Sequence, residues 1–421
     1  MDAYFDEMLR RLKLTKKQKD DAKTKYTNVA KILHSEFYDT EYDGSTKLLI
    51  GSYGKHTNIR PPGDVDLIFK IPEEVYLQYE TSPSDLLQKI RKRLNEAYST
   101  TEEIHAWGKV VLVKFPDGKH NIELLPAFDI EGVFMIPNTE GEGSWESFDV
   151  RTEMKSVQDS NTKTAGVTHK LIKFIKRWSK YTTTVAIKSY RIEELSITFL
   201  DQYDLSNMQW SGLVKDFFTW LSNVQDDDVL ASSSQINTAL SRANKAAAFE
   251  VEDKIVDACN EWRKVFGNRV FPAASATLER VFELRAVQKS DEEMFIEDLV
   301  PIRIDESVTV TVIADFVGAN VPAHPFAAFI KGHSLLPKRK DILFTANITG
   351  LEGYSLKWKV RNFGEEAERI GQLRGKIYDG EGMTRQEGTL YEGIHYVECY
   401  VIKNEVCVAR DMQLVPIGRT E

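Results

Sequence analysis

Residues 48–70 read LLIGSYGKHTNIRPPGDVDLIFK. An apolar run ends at Gly51-Ser52, a polar loop with two prolines follows, and Asp64-Val65-Asp66 opens a second apolar run. Residues two apart on a β-strand share a face. Asp64 and Asp66 are therefore expected side by side, with Val65, Leu67 and Phe69 turned the other way. Paired carboxylates suit Mg²⁺, a hard cation that takes oxygen ligands and substrate phosphates. A Gly-Ser turn offers backbone N–H groups and a hydroxyl to phosphate oxygens. Neither half is informative alone. Joined as G-S-x11-D-x-D with a strand at each end, they point to nucleotidyl transfer. The plain alternative is a surface hairpin with solvated aspartates.

A third carboxylate would complete a two-metal site. Glu123 is the candidate, in His120-Asn121-Ile122-Glu123-Leu124-Leu125-Pro126-Ala127, with Ile122 and Leu124 expected on the opposite face. Asp117, in a turn, and Asp129, past Pro126-Ala127, are weaker candidates.

Around this centre, Thr15 reads as the N-cap of a helix to about Phe37. Its buried stripe is Ala22, Tyr26, Val29, Ala30, Leu33 and Phe37. Strands are expected at 46–50, 64–71, 108–115 and 120–128, the last two joined by Pro116-Asp117-Gly118-Lys119. A helix near 83–98 is expected to have Ser84 as cap and Leu86, Leu87, Ile90 and Leu94 on one face. From about 160 the pattern turns helical, with helices expected at 166–181, 189–203, 211–224, 233–246 and 249–266, the last ending at Gly267. An acidic linker spans 286–300. Strands return at 308–312, 340–348, 354–361, 374–378, 393–402 and 405–414, the spacing of an Ig-like sandwich. Strands and helices mix in the first segment, which is α/β or α+β, and the chain divides as 1–160, 161–290 and 300–421.

The chain has 421 residues, 42% of them apolar and 28% charged, with a formal charge of −9. That balance argues against a basic nucleic-acid coat protein. Three scattered cysteines suit neither a disulfide framework nor a zinc site. With no apolar run long enough to span a bilayer and a charged opening MDAYFDEMLRRLK, the expected location is the cytoplasm, off the membrane.

Gly51-Ser52, Asp64-x-Asp66 and Glu123-Leu124-Leu125-Pro126-Ala127 resemble the polymerase-β-like nucleotidyltransferases. They resemble most the branch holding oligoadenylate synthases, cyclic GMP-AMP synthase and the bacterial cyclic-oligonucleotide synthases (CD-NTases). That family usually carries Asp where Glu123 stands. Phe134-Met135-Ile136-Pro137 with Trp145, and Trp262 to Gly267 with Phe271-Pro272, also match its segments. Leu171-Ile172-Lys173-Phe174-Ile175-Lys176-Arg177-Trp178 resembles the helix whose lysine reaches the donor triphosphate, a role this implies for Lys176. Lys188-Ser189-Tyr190 with Glu193-Glu194-Leu195 resembles the helix start whose serine contacts phosphate, which implies that role for Ser189. Taken alone, each lysine and tryptophan also fits an ordinary amphipathic helix. Segments from Lys357 to Asp411 resemble the β-rich sensor domain fused to bacterial CD-NTases and nucleotide cyclases. There Trp358, Arg374, His395 and Tyr396 are either ligand contacts or core and turn residues.

The resemblance implies a polymerase-β-like core, a helical second lobe and a C-terminal sandwich. It implies a template-independent enzyme using NTPs or dNTPs. Two Mg²⁺ (or Mn²⁺) would be held by Asp64, Asp66 and Glu123, and Gly51 and Ser52 would grip the β/γ-phosphates. The product would be a cyclic or linear oligonucleotide that acts on a separate effector in anti-phage defence. A small ligand, such as a nucleotide, bound at the C-terminal domain would regulate the enzyme. Two alternatives stand beside it: a toxin–antitoxin nucleotidyltransferase acting on protein or tRNA, and a degenerate nucleotide-sensing protein.

Overall fold

The computed structural model describes residues 1–98, 103–275, 279, 282, 283, 288, 290–305, 307–317 and 335–418. It divides into two compact units. The first comprises Met1–Asp2 and Leu12–Ala247, the second Ala3–Arg11 and Ala248–Glu421.

In the first unit, α2 (Lys16–Phe37) starts at Thr15, which forms a reciprocal capping box with Gln18. β1 (Lys47–Leu49) leads into the one-turn helix α3 (Gly51–Gly54), and β2 (Val65–Ile71) follows the loop. After α4 (Tyr76–Tyr79) comes α5 (Pro83–Ala97). The expected cap at Ser84 is corrected: Pro83 takes the first helical position, where its missing N–H costs nothing, and Ser82 takes the cap position. Then come β3 (Glu103–Trp107), β4 (Val110–Lys114), β5 (Ile122–Ile130), β6 (Val133–Asn138) and β7 (Ser144–Phe148). The sheet order is β1-β2-β5-β4-β3, and β6 joins β5 to β7. β2 and β5 run parallel; their neighbours pair antiparallel.

One sheet face packs on α2 and α5. Val65, Leu67, Phe69, Ile122 and Leu124 meet Ala22, Val29, Ala30, Leu33, Leu86, Ile90 and Leu94 in a single apolar cluster. Each fully buried side chain of this size contributes about 1.5–3 kcal/mol. This layer fixes the register of β2 and β5, because a slip of one residue would send every apolar side chain to the wrong face. The carboxylates are left on the opposite face, beside Ile50, Ile68, Leu125 and Ala127.

The helices α6 (Val150–Lys163), α7 (Val167–Tyr181), α8 (Ser189–Leu200), α9 (Trp210–Leu221), α10 (Asp227–Leu230) and α11 (Ser233–Val251) follow. The unit boundary at Ala247 falls within α11 and inside the 161–290 stretch read as one lobe.

In the second unit, α1 (Asp2–Leu12) and α12 (Ile255–Phe266) share an aromatic core. Phe5 meets Trp262 at 5.1 Å and Phe271 at 5.2 Å, both edge to face. α12 ends at Gly267 with φ +91°, as the sequence predicts. The sandwich has a four-stranded sheet, β11 (Arg374–Asp379), β10 (Ser355–Arg361), β13 (Gly393–Lys403) and β14 (Val406–Ile417) in that order. Its three-stranded partner is β12 (Thr384–Gly388), β9 (Asp341–Thr349) and β8 (Thr309–Val317). Trp358 is buried in the core between the sheets, with Phe344, Val397 and Val401. Of the two readings of Trp358, the structure therefore bears out the core residue rather than the ligand contact. Positions 286, 287 and 289 of the expected linker lie outside the described residues.

Candidate active site

The strand pair β2–β5 sets the geometry. Asp66 is opposite Glu123 in the parallel register, and Val65 is opposite Ile122. Asp64 lies just before β2, exposed. Its Oδ1 accepts from Asn121 Nδ2 at 3.1 Å, while the Val65 N–H donates to the Asn121 carbonyl at 2.8 Å. Asn121 thus positions the first carboxylate, a role that sequence reading did not assign.

Gly51 has φ +54°, and a Cβ there would sit 1.9 Å from Asp66 Oδ2. The Asp66 carboxylate therefore rests directly on the glycine backbone, and a side chain at 51 would displace it. The loop tightens behind this contact, as the Thr57 and Asn58 N–H groups both donate to the Ser52 carbonyl. Tyr53 Oη and His120 Nδ1 are hydrogen-bonded at 2.7 Å, tying α3 to the segment before β5.

The electrostatics match three crowded acids. Asp66 is pushed up to about 6 by burial, then by Glu123 and Asp64. Burial, then Asp64, raises Glu123. Like charges this close favour protonation or a bound cation. Among the described residues, no three His, Cys, Asp or Glu side chains already stand in cation-ligating geometry. The donor set, all carboxylate oxygen and partly water-accessible, fits Mg²⁺ or Mn²⁺. Asp117 and Asp129 are engaged elsewhere, with Lys25 Nζ at 2.8 Å and Arg151 Nη2 at 2.7 Å.

A second cluster comes from the helices. Lys176 on α7 is buried, and its Nζ donates to Glu193 Oε1 at 2.6 Å and Thr57 Oγ1 at 2.9 Å. Thr57 in turn donates to Glu193 Oε1 at 2.6 Å, and Lys55 Nζ reaches Glu193 Oε2 at 3.0 Å. Against its burial, Lys176, Thr57 and Lys55 hold the Glu193 carboxyl below its ordinary range. The network pins the loop after α3 to α7 and α8. Ser189, the first residue of α8, is exposed.

Lys173, one turn before Lys176, is brought down to about 8 by burial and by Lys13, Lys19 and Lys176. Next to it, burial, Lys173 and His56 bring His169 down to about 4. The His169 Nε2 is buried with no hydrogen-bond partner among the described residues. Cations crowded around an orphaned polar atom form an anion-seeking surface. The signal in the sequence is the spacing of Lys173, Lys176 and Lys180 along one helix; Lys13 and Lys19 gave none.

Comparisons with known proteins match two separate stretches of the chain. Residues 1–161 match the model of the Second Messenger Oligonucleotide or Dinucleotide Synthetase domain. Residues 290–418 match the Adenylyl/Guanylyl and SMODS C-terminal sensor domain. The chain is 24% identical over 289 residues to a probable cyclic nucleotide synthase of Bacillus cereus (strain VD146), covering 55% of this chain and 84% of that one. It is 36% identical over 77 residues to a cytidylate cyclase of Staphylococcus aureus, covering 17% and 18%. In fold it resembles CdnC of E. coli MS115-1, solved with ATP, with a TM-score of 0.50 and 16% identity over 65% of this chain and 99% of that one.

Proposed function

We propose, from the premise that this chain belongs to the bacterial CD-NTases and is a nucleotidyltransferase, that it makes a cyclic or linear oligonucleotide signal from NTPs or dNTPs. The observation that carries this reading is the Asp66 carboxylate resting on Gly51, opposite Glu123 and beside Asp64.

Asp64, Asp66 and Glu123 would hold Mg²⁺, which when bound neutralises phosphate charge and acidifies a ribose hydroxyl. Gly51 and Ser52 would offer a backbone N–H and a hydroxyl to grip the β/γ-phosphates of the donor. Lys176 and Ser189 steady the triphosphate, and Lys173 adds charge to the same wall. The acceptor hydroxyl gives up its proton to solvent as its oxygen bonds to the donor α-phosphorus; the bond from that phosphorus to the bridging β-phosphate oxygen breaks, and pyrophosphate leaves. Further rounds extend the chain, and an attack by its own terminal hydroxyl closes a ring. The product acts on a separate effector, and the setting is anti-phage defence in the cytoplasm. The absence, among the described residues, of any helix long and apolar enough to cross a membrane is compatible with that setting.

The test is incubation of the pure protein with each NTP and dNTP plus Mg²⁺ or Mn²⁺, followed by phosphatase treatment, chromatography and mass spectrometry. Small phosphatase-resistant products indicate rings, and a ladder indicates a linear oligomer. Label found solely on protein or tRNA, or no turnover with nucleotide binding retained, would overturn the proposal.

A further inference from the structure

The β-sandwich holds a cavity of about 160 Å³. Phe344 of β9, Val360 of β10, Val397 of β13 and Val415 of β14 give it an apolar floor. For scale, an engineered apolar cavity of about 150 Å³ accepts benzene. This cavity is therefore the size of one ring.

Two residues of its polar wall are already committed. His395 Nδ1 accepts from the Phe363 N–H at 3.1 Å, and Nε2 donates to the Tyr391 carbonyl at 2.8 Å, so both nitrogens are committed. Thr389 Oγ1 donates to the Pro337 carbonyl and accepts from the Lys340 N–H, each at 2.8 Å. Arg374 differs. Its two terminal nitrogens each donate once to Glu387, at 2.7 and 3.2 Å, which leaves three of a guanidinium's five N–H donors. Glu387 also accepts from Arg385 Nε at 2.7 Å, so one carboxylate faces two cations and the triad keeps a net positive charge. Arg374 holds φ +54° beside a bulge in the β10–β11 ladder. A non-glycine residue in that region is uncommon, and bulges re-aim side chains at sites.

We propose that this cavity binds a single planar ring carrying an anionic acceptor, a carboxylate or a phosphate. The ring lies on the apolar floor and the anion takes the remaining Arg374 donors. An apolar floor with a few placed polar groups is the usual construction of a small-molecule site. Two sources share this chemistry, an aromatic acid and a pyrimidine mononucleotide.

The experiment is calorimetric titration of the full chain without divalent cations, in an Asp64→Asn/Asp66→Asn background. The probes are benzoate and uridine 5′-monophosphate; acetate, inorganic phosphate and benzyl alcohol each supply one half of the chemistry. At least one probe is expected to bind tenfold or more tighter than all three halves, and the tighter probe names the source. Arg374→Asn, with a residue that tolerates the left-handed region, and Val415→Phe, which fills the floor, are each expected to weaken it tenfold or more. The two act on different strands, so whichever variant keeps the parental near-UV circular dichroism carries the test. No preference for a ring-bearing anion, or a preference that survives in a folded variant, overturns the proposal. Neither result depends on whether the carboxylate site turns over nucleotides.

Discussion

Asp66 and Glu123 stand opposite one another in the parallel ladder of β2 and β5, two acids brought together by the backbone pairing of their strands. The helix-covered apolar face imposes that pairing. The charge repulsion it creates is a cost that a bound cation removes.

Asp66→Asn should therefore abolish turnover, by more than a thousandfold, while gaining on the order of 1–2 kcal/mol in stability as like-charge repulsion is relieved. Product assays and urea unfolding at pH 7 read the two effects. A variant that loses stability together with activity would contradict the crowding argument. Glu123→Gln should also lower turnover strongly; unchanged turnover would remove Glu123 from the site.

Mg²⁺ should stabilise the parent protein by about 2–3 kcal/mol at roughly a hundredfold excess over Kd. The gain should disappear in Asp64→Asn/Asp66→Asn. Thermal unfolding with and without EDTA measures it. Equal stabilisation of parent and double variant would place the ion elsewhere.

Gly51→Ala should cost about 1–2 kcal/mol from its positive φ alone. Because the added Cβ would meet Asp66 Oδ2 at 1.9 Å, kcat should fall at least a hundredfold. Ser52→Ala, which keeps the backbone, should lose less. If both variants lose alike, the glycine contact is not what places Asp66.

Glu193→Gln removes the anion shared by Lys176 and Lys55, and should cost about 3 kcal/mol at pH 7. The folded carboxyl lies below its unfolded value of about 4.3, so its contribution is full above that pH and fades as pH falls through the folded value. Parent and variant stabilities should converge in acid. A constant gap down to pH 3 would argue that packing, not charge, is the source.

Lys173→Met should stabilise the protein at pH 7, on the order of 1–3 kcal/mol, while raising KM for the donor nucleotide. The folded lysine titrates at about 8, below its unfolded value near 10.4, so the unfolded chain binds more protons between those values. Parent stability should then rise with pH across that window, and the advantage of the variant should vanish by about pH 10.5. A variant advantage independent of pH would dismiss the cationic crowding.

Much of this molecule is legible locally. The Thr15 capping box, the stripe of α2, the Gly267 stop and the alternation of Val65, Leu67 and Phe69 are short-range patterns, and the structure follows them. β3, β6, β7 and β12 are absent from the strands expected of the sequence; β7 and β12, Ser144–Phe148 and Thr384–Gly388, are edge strands with no buried residue, so no buried face marks them. α1 was read for its charge alone, and its apolar face has meaning only against Trp262 and Phe271.

The same division holds at the site. Spacing along one strand was enough to pair Asp64 with Asp66, because strand geometry alternates side chains whatever the fold. Which residue meets Asp66 from the next strand depends on parallel register, and which anion neutralises Lys176 depends on helix packing. Lys55 and Glu193 are 138 positions apart in the chain, and nothing local links them. Local geometry sets which faces the side chains occupy. Burial of the apolar face against α2 and α5 decides which charges then meet, since it admits one register and one arrangement of the acids.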